Sequence, residues 1–396
     1  MRRTMRTVVG PGTFHRALCS VVFAAAVWLG DGAPLAAQTP DIRQHETIAP
    51  GIEHTEIKRG NFADAGKERW TIHVLTVNPK HARLQLAQAM DEIAGAETTT
   101  SLARRHGALA AINGGYFRTD GIVRGEPVGL LVLAGKLLSE PVKQRAALAV
   151  RDDGRQLQTA IVHVGWQAEL RINGQSHPIS GFNRPREADE LLVFTPEFHR
   201  TTLTDANGLE AIVIRNRVTA IHEMRGSQPI PAAGVVLSAS GKARAWLQTQ
   251  LRRGARVELK TELQTRPTLS FQPDFILGAG PQLLSAGRDV SEAEAANYST
   301  SLYRVRHPRT AIGWRADGTL LLVTVDGRQP QKSVGMTLAE LAALMRELGC
   351  EAALNLDGGG STTMVVKQKI VNSPSDRNGD PAGERPVSDA LLIKPR

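Results

Sequence analysis

Short apolar stretches bounded by glycine, proline and asparagine turns recur along this chain, and they read as strands. Trp70–Val77 (WTIHVLTV) alternates and stops at Asn78-Pro79, and Ala82–Ala87 is a second strand. Residues 125–138 read as a hairpin turning at Ala134-Gly135-Lys136, and Arg145–Val150 as a strand ended by Asp152-Asp153-Gly154. From Arg155 to Leu269 the pattern stays mostly β, interrupted by a short helix around Lys242–Leu251. Arg309–Trp314, Thr319–Val325 and Asp389–Ile393 are further strands.

Helical spacing marks two other places. Thr98–Gly107 has a hydroxyl residue to cap its start, Arg104 and Arg105 in its last turn and a glycine stop. The second helix starts at Thr337 with Glu340 three residues on, a capping box that satisfies two otherwise unbonded N–H groups. Leu338, Leu341, Ala342, Met345 and Leu348 fall on its one apolar face, and Gly349 stops it. Each helix leads into a buried apolar run, Ala108–Ile112 and Cys350–Leu356. The runs end alike, in Asn113-Gly114-Gly115 and in Asn355, Asp357 and Gly358-Gly359-Gly360. Two strands thus deliver polar groups and bare backbone from the same kind of edge, where ligands collect in α/β sheets. The fold class expected is α+β: a mixed β-sheet core with a few helices and an elaborated β-rich middle region.

Composition adds boundaries. The chain has 396 residues, 41% of them hydrophobic, enough for a sizeable core. Arg2, Arg3, Arg6 and Arg16 precede an apolar run from Ala17 to Leu29 and then small residues, the layout of a secretory signal over residues 1–37. Residues 38–100 read as an N-terminal linker and first strands, with 38–60 polar and linker-like, and 101–396 as the main domain. Export to a secreted or periplasmic location is therefore expected, with no membrane span once the signal is removed. Cys19 leaves with the signal, so Cys350 stays alone as a small core residue and no internal disulfide forms. Formal charge is +9, or about +6 without the four Arg and one Asp of the first 37 residues. That balance favours anionic ligands. Nucleic acid is disfavoured, since aromatics are only 4% and no basic run or recognition motif occurs. Nothing in the sequence sets an oligomeric state.

The candidate chemistry lies at four polar turns: Asn113 with Gly114 and Gly115, Asp326 in an Asp-Gly-Arg turn, Asp357 with the triple glycine, and Glu384 with Arg385. Asp357, Asp326 and Glu384 are the candidate catalytic carboxylates, a pair of which can cleave a glycosidic bond. Gly358–Gly360, Ser361 and Thr362 offer N–H groups and hydroxyls to an anion, and Arg309 and Arg385 offer guanidinium forks. The glycine turn is not a nucleotide P-loop, because no Gly-Lys-Ser/Thr follows. Ser361 lacks the nucleophile elbow of serine hydrolases, and no histidine pair has metal-ligand spacing. No cofactor is assigned. A divalent cation held by Asp326, Asp357 or Asp376 to Asp380 is the one candidate, although the last run lacks the length and closing glutamate of an EF-hand.

These residues resemble the phosphodiester glycosidases, the family of the mannose-6-phosphate uncovering enzyme. The resemblance rests on NGGYF (113–117), NRPRE (183–187), HPRTAIGW (307–314), VTVDGRQP (323–330), the stretch 335–366 ending LDGGGSTTMVV, and ERPVSDALLI (384–393). It implies a hydrolase acting on a sugar 1-phosphodiester that releases the sugar and leaves a phosphomonoester. It further implies one pocket lined by Asn113, Arg309, Asp326, Asp357, the glycines, Ser361, Thr362, Glu384 and Arg385, with Asp389 standing where the pattern has Asn. An anionic glycan of the cell envelope or an exopolysaccharide is the substrate expected. Two rivals use the same residues: a non-catalytic glycan-binding protein, and a metal-dependent phosphodiesterase that cuts P–O instead of C–O.

Overall fold

The strand Leu320–Val325 (LLLVTV) is apolar at nearly every position because it is buried on both faces. It is a central strand of an eight-stranded sheet, in the order 42–49, 52–60, 69–77, 320–325, 309–314, 352–355, 282–285, 288–289. Leu321, Val323 and Val325 face the helix Leu338–Glu347, together with Ala311 and Ala353. Leu320 and Leu322 face the other way with Leu75, Ile312 and Leu354, into a core shared with a second sheet. That five-stranded sheet runs 369–370, 364–366, 110–113, 389–395, 82–88. The site grows out of the seam between these two sheets.

The computed structural model describes residues 41–62, 64, 68–142, 144–376 and 383–396. The signal segment expected at 1–37 lies outside them. The molecule is richer in sheet than the α+β expectation implies, with 45% strand and 13% helix. The middle region supplies two more sheets: a seven-stranded one built on Leu157–Ile172, and a five-stranded one of 181–182, 191–194, 234–239, 209–214 and 217–223. Leu148, Val150, Phe194 and Phe275 from this region enter the core shared by the first two sheets.

Residues 38–60, expected as a linker, hold two strands, Ile42–Ala49 and Ile52–Gly60. Their polar sequence hid them, because the first is exposed along most of its length and is held by backbone pairing to the second. They join the same sheet as 309–325, across the boundary expected at residue 100. Both helices form with the expected caps. Thr98 accepts from Ser101 N, and Thr337 and Glu340 form the capping box. Among the described residues no helix is long and apolar enough to cross a membrane.

Candidate active site

Asn113 ends a strand of one sheet, Asp357 lies two residues past the end of the strand Ala352–Asn355 of the other, and the two meet at the seam. Asn113 Nδ2 donates to the Asp357 carbonyl at 2.7 Å, and Asp357 N–H donates to the Gly114 carbonyl at 3.0 Å. Asn113 Oδ1 accepts from Thr310 Oγ1 at 2.8 Å and from Thr363 N at 3.2 Å. Asn113 is fully buried with its amide committed to the protein, so it clasps the loop and does not reach a ligand as expected. Gly114 and Gly115 are also packing residues. A Cβ at 114 would come within 1.9 Å of Asp389 Oδ1, and one at 115 within 2.9 Å of the Gly278 carbonyl. Asp389 is buried and accepts from Gly115 N at 2.8 Å, a structural use of the position where Asn was expected.

The clasped loop aims Asp357 into a cleft of about 230 Å³ that is lined also by Ser299, Ser301, Leu302, His307, Arg309, Arg328, Gly358 and Gly359. Burial pushes the Asp357 carboxyl up to about 6, opposed by bonds from the Ser361 hydroxyl and Gly358 N–H and by the charge of Arg385. Arg309 is 1% exposed. Its Nε donates to the Met336 carbonyl at 2.7 Å, and Nη2 to the carbonyls of Leu302 and Val305 at 2.8 Å each. It makes no ion pair among the described residues, and burial lowers its pKa to about 10, so it stays charged at neutral pH. A guanidinium held by carbonyls alone, facing a cleft, is a receptor for an anion.

Two more cleft residues were given no site role from sequence: Arg328 counted only as part of its turn and His307 only as the start of a strand. Arg328 lies beyond Asp326 in the Asp-Gly-Arg turn with φ +60, and His307 precedes the proline before Arg309. Arg328 Nη2 donates to His307 Nδ1 at 3.4 Å. Burial and the charges of Arg309 and Arg328 keep the His307 ring pKa low, so the ring stays a neutral acceptor. Both lie inside sequence motifs, HPRTAIGW and VTVDGRQP, but nothing in those motifs marks the two as neighbours. Only proximity in the fold places two guanidiniums and one carboxylate on the same cleft.

The triple glycine separates this cleft from a second one of about 460 Å³, lined by Phe117, Thr119, Arg124, Gly360, Asp376, Gly383, Glu384, Arg385 and Pro386. Each glycine answers a close approach. A Cβ at 358 would meet the Pro308 carbonyl at 2.8 Å, at 359 Arg328 Nη2 at 2.9 Å, and at 360 Arg385 Nη2 at 2.3 Å. Gly359 also has φ +61, a region costly for any side chain. Arg385 bonds Asp376 at 2.6 Å and approaches Ser361 Oγ at 3.5 Å, so it stands behind Asp357 through the serine. Ser361 and Thr362 are fully buried, and neither is a lining residue of either cleft.

Two expected catalytic carboxylates do other tasks. Asp326 is fully buried and absent from both cleft walls. Its Oδ1 accepts from Ser373 N at 2.8 Å and Asn372 Nδ2 at 3.2 Å, and Oδ2 faces Lys332 Nζ at 3.4 Å. It thus anchors the segment leading to Asp376. Glu384 lines the second cleft, but its Oε1 accepts from Thr100 N at 2.6 Å, satisfying the start of the helix Thr99–Arg105. Burial raises the pKa of both carboxyls. Of the residues expected to hold a cation, Asp380 lies outside the described residues, Asp376 is paired with Arg385, and Asp326 and Asp357 do not share a wall. Among the described residues no group of three or more His, Cys, Asp and Glu is arranged to bind a metal. The NRPRE motif is also structural, with Arg184 bridging Glu140 and Glu190 at 2.5 and 2.7 Å.

A prophage-derived uncharacterized protein of Bacillus subtilis strain 168 is 46% identical over 89 residues, 22% of this chain and 13% of that protein. The mouse N-acetylglucosamine-1-phosphodiester alpha-N-acetylglucosaminidase is 34% identical over 92 residues, 23% of this chain and 17% of that protein. The matches therefore span less than a fifth of either relative's length. A crystal structure of a Burkholderia pseudomallei K96243 protein described as exported superposes with a TM-score of 0.77 at 25% identity, covering 90% of this chain and 96% of that one. The family model for phosphodiester glycosidases matches residues 207–394, a span that holds the cleft with Asp357, Arg309, Arg328 and the triple glycine. Over those residues, just under half of its length, this chain is similar to the phosphodiester glycosidase domain.

Proposed function

We infer that the protein is an exported hydrolase that cleaves a sugar 1-phosphodiester in envelope or extracellular polysaccharide, releasing the sugar and a phosphomonoester. The observation that carries this reading is the pairing, in one cleft, of a carboxylate with a pKa near 6 and a buried guanidinium that has no carboxylate partner among the described residues. Arg309, with Arg328, takes the phosphodiester anion. Asp357, mostly ionised at neutral pH, takes a proton from water as the water oxygen bonds the anomeric carbon. The bond from that carbon to the phosphate oxygen breaks, and its electron pair leaves with the phosphate. A glycosidase with an alcohol leaving group needs a second carboxyl to protonate it. A phosphate whose charge is neutralised leaves without that proton, which suits a cleft with one carboxylate. The anionic glycan partner follows from the same pair of arginines, and secretion or a periplasmic location from the signal-like residues 1–37.

Hydrolysis of a glycosyl phosphodiester in ¹⁸O-labelled water tests the reading. Label is expected in the sugar. Label in the phosphate would replace it with P–O cleavage, and no product at all would leave a glycan-binding protein.

A further inference from the structure

The strand Val257–Arg266 pairs along its length with Leu157–Ile172. Its other edge is covered only at the start, where Val257 N–H donates to the Asn216 carbonyl at 2.9 Å and Arg256 bridges Arg217. That bond fixes the facing of the whole edge. Val257 points its N–H away from the neighbouring strand, so by two-residue alternation the main-chain groups of Leu259, Thr261 and Leu263 also point outward. Among the described residues nothing pairs with them.

The sequence of this edge is complementary to itself about Thr261. A second copy laid antiparallel on a two-fold axis at Thr261 sets Lys260 opposite the partner's Glu262, twice, and Leu259 opposite the partner's Leu263, twice. Glu258 then faces Gln264. Leu259 is 37% exposed in one chain. Lys260 reaches only Glu258 there, at 3.9 Å with both side chains largely exposed, and Glu262 makes no ion pair among the described residues. The outward N–H and C=O groups belong to the positions this register pairs by hydrogen bonds. Neighbouring registers fail. An axis at Lys260 or Glu262 sets like charges opposite each other, and one at Leu263 opposes Lys260 to Arg266. An axis at Leu259 needs the outward edge of Val257, already taken by Asn216.

We propose that two copies of this chain associate through the Glu258–Gln264 edge, antiparallel about Thr261, into a continuous sheet. The alternative use of Lys260 and Glu262 is to guard an exposed edge against any pairing.

A charge swap separates the two. Light scattering and sedimentation on the full chain over a concentration series should give a two-chain mass. Because each substitution acts at both symmetric positions, K260E and E262K should each weaken the dimer roughly tenfold or more. K260E/E262K restores both pairs and should return the dissociation constant to about the starting value. T261P should also separate the copies while leaving the chain folded, since the Thr261 N–H faces away from its neighbour. An unchanged circular dichroism spectrum and a cooperative melt check the fold of each variant, whose melting temperature falls only by the mass action of the lost dimer. A monomer at every concentration, or a dimer indifferent to the single substitutions, overturns the proposal.

Discussion

Asn113 holds the main chain of Asp357, with Nδ2 2.7 Å from the carbonyl oxygen, although 244 residues separate the two in sequence. The same amide accepts from Thr310 and Thr363, so one side chain ties both sheets to the turn that aims the carboxylate. Asn113→Ala leaves those groups buried without a partner and should cost about 1–3 kcal/mol in denaturant unfolding. In steady-state kinetics kcat should fall about tenfold or more with KM little changed, because the clasp positions Asp357 without touching the ligand. Asn113→Asp keeps the acceptor but loses the donor, and should share the kcat defect. An unaffected kcat in either folded variant would remove the clasp from the mechanism.

Asp357 itself should set the acid limb of the pH profile. With its carboxyl held near 6, kcat/KM should rise with pH and level off above that value. Asp357→Asn should lower kcat about 10²–10⁴-fold and remove the limb. Stability moves the other way. The folded state binds this proton more tightly than the unfolded chain, whose carboxyl titrates at 3.8, so unfolding free energy falls as pH rises from about 4 to 6. The Asn variant should lose that part of the dependence and be no less stable than the parent at neutral pH. Turnover that survives in D357N would place the chemistry elsewhere.

Asp326 offers the contrast. Its bonds to Ser373 N and Asn372 make it an anchor, so an isosteric Asp326→Asn should keep kcat within about tenfold. Asp326→Ala should lower stability by about 1–3 kcal/mol as Ser373 N and Asn372 lose their acceptor. A folded D326N with turnover as low as D357N would restore Asp326 to the chemistry.

The three glycines should not behave alike. Gly358→Ala meets a backbone carbonyl that cannot step aside, 2.8 Å away, and should cost about 1–3 kcal/mol of stability. Gly360→Ala meets the far end of Arg385, which can swing off. That variant should stay close to parental stability but show a changed KM, because Arg385 leaves its place behind Ser361 and Asp357. Thermal melts and kinetics on the two variants read these effects separately, and equal loss of stability in both would contradict the geometry.

What could be read in the chain follows from how local each signal is. The helix at 338–347 was legible because its cap, apolar face and glycine stop lie within a dozen neighbouring residues, and the LDGGGST turn because three glycines after a buried strand are rare without a reason. Asp326 looked like Asp357 in sequence, a carboxylate at a strand end before glycine. What separates them is the residue that meets each one, Ser373 in one case and an open cleft in the other. Arg328 and His307 lie in visible motifs, but their shared role could not be read there, since it depends on a 3.4 Å contact between residues 21 apart. The strand at 42–49 was missed for a different reason: an edge strand held by backbone pairing needs no apolar face.

The strand Asp389–Pro395 lies inside its sheet, between 82–88 and 110–113. Residues 110–113 therefore gain one of their two neighbours only when a segment almost three hundred positions further along docks beside them. Contacts of such long range make a fold slow to nucleate. They also couple the cleft to completeness: a chain missing this strand leaves Asn113 on an open edge, and no partly assembled form can aim Asp357. The cleft geometry would then appear only in finished molecules, so the last of these strands to leave the ribosome is also the one that completes the site.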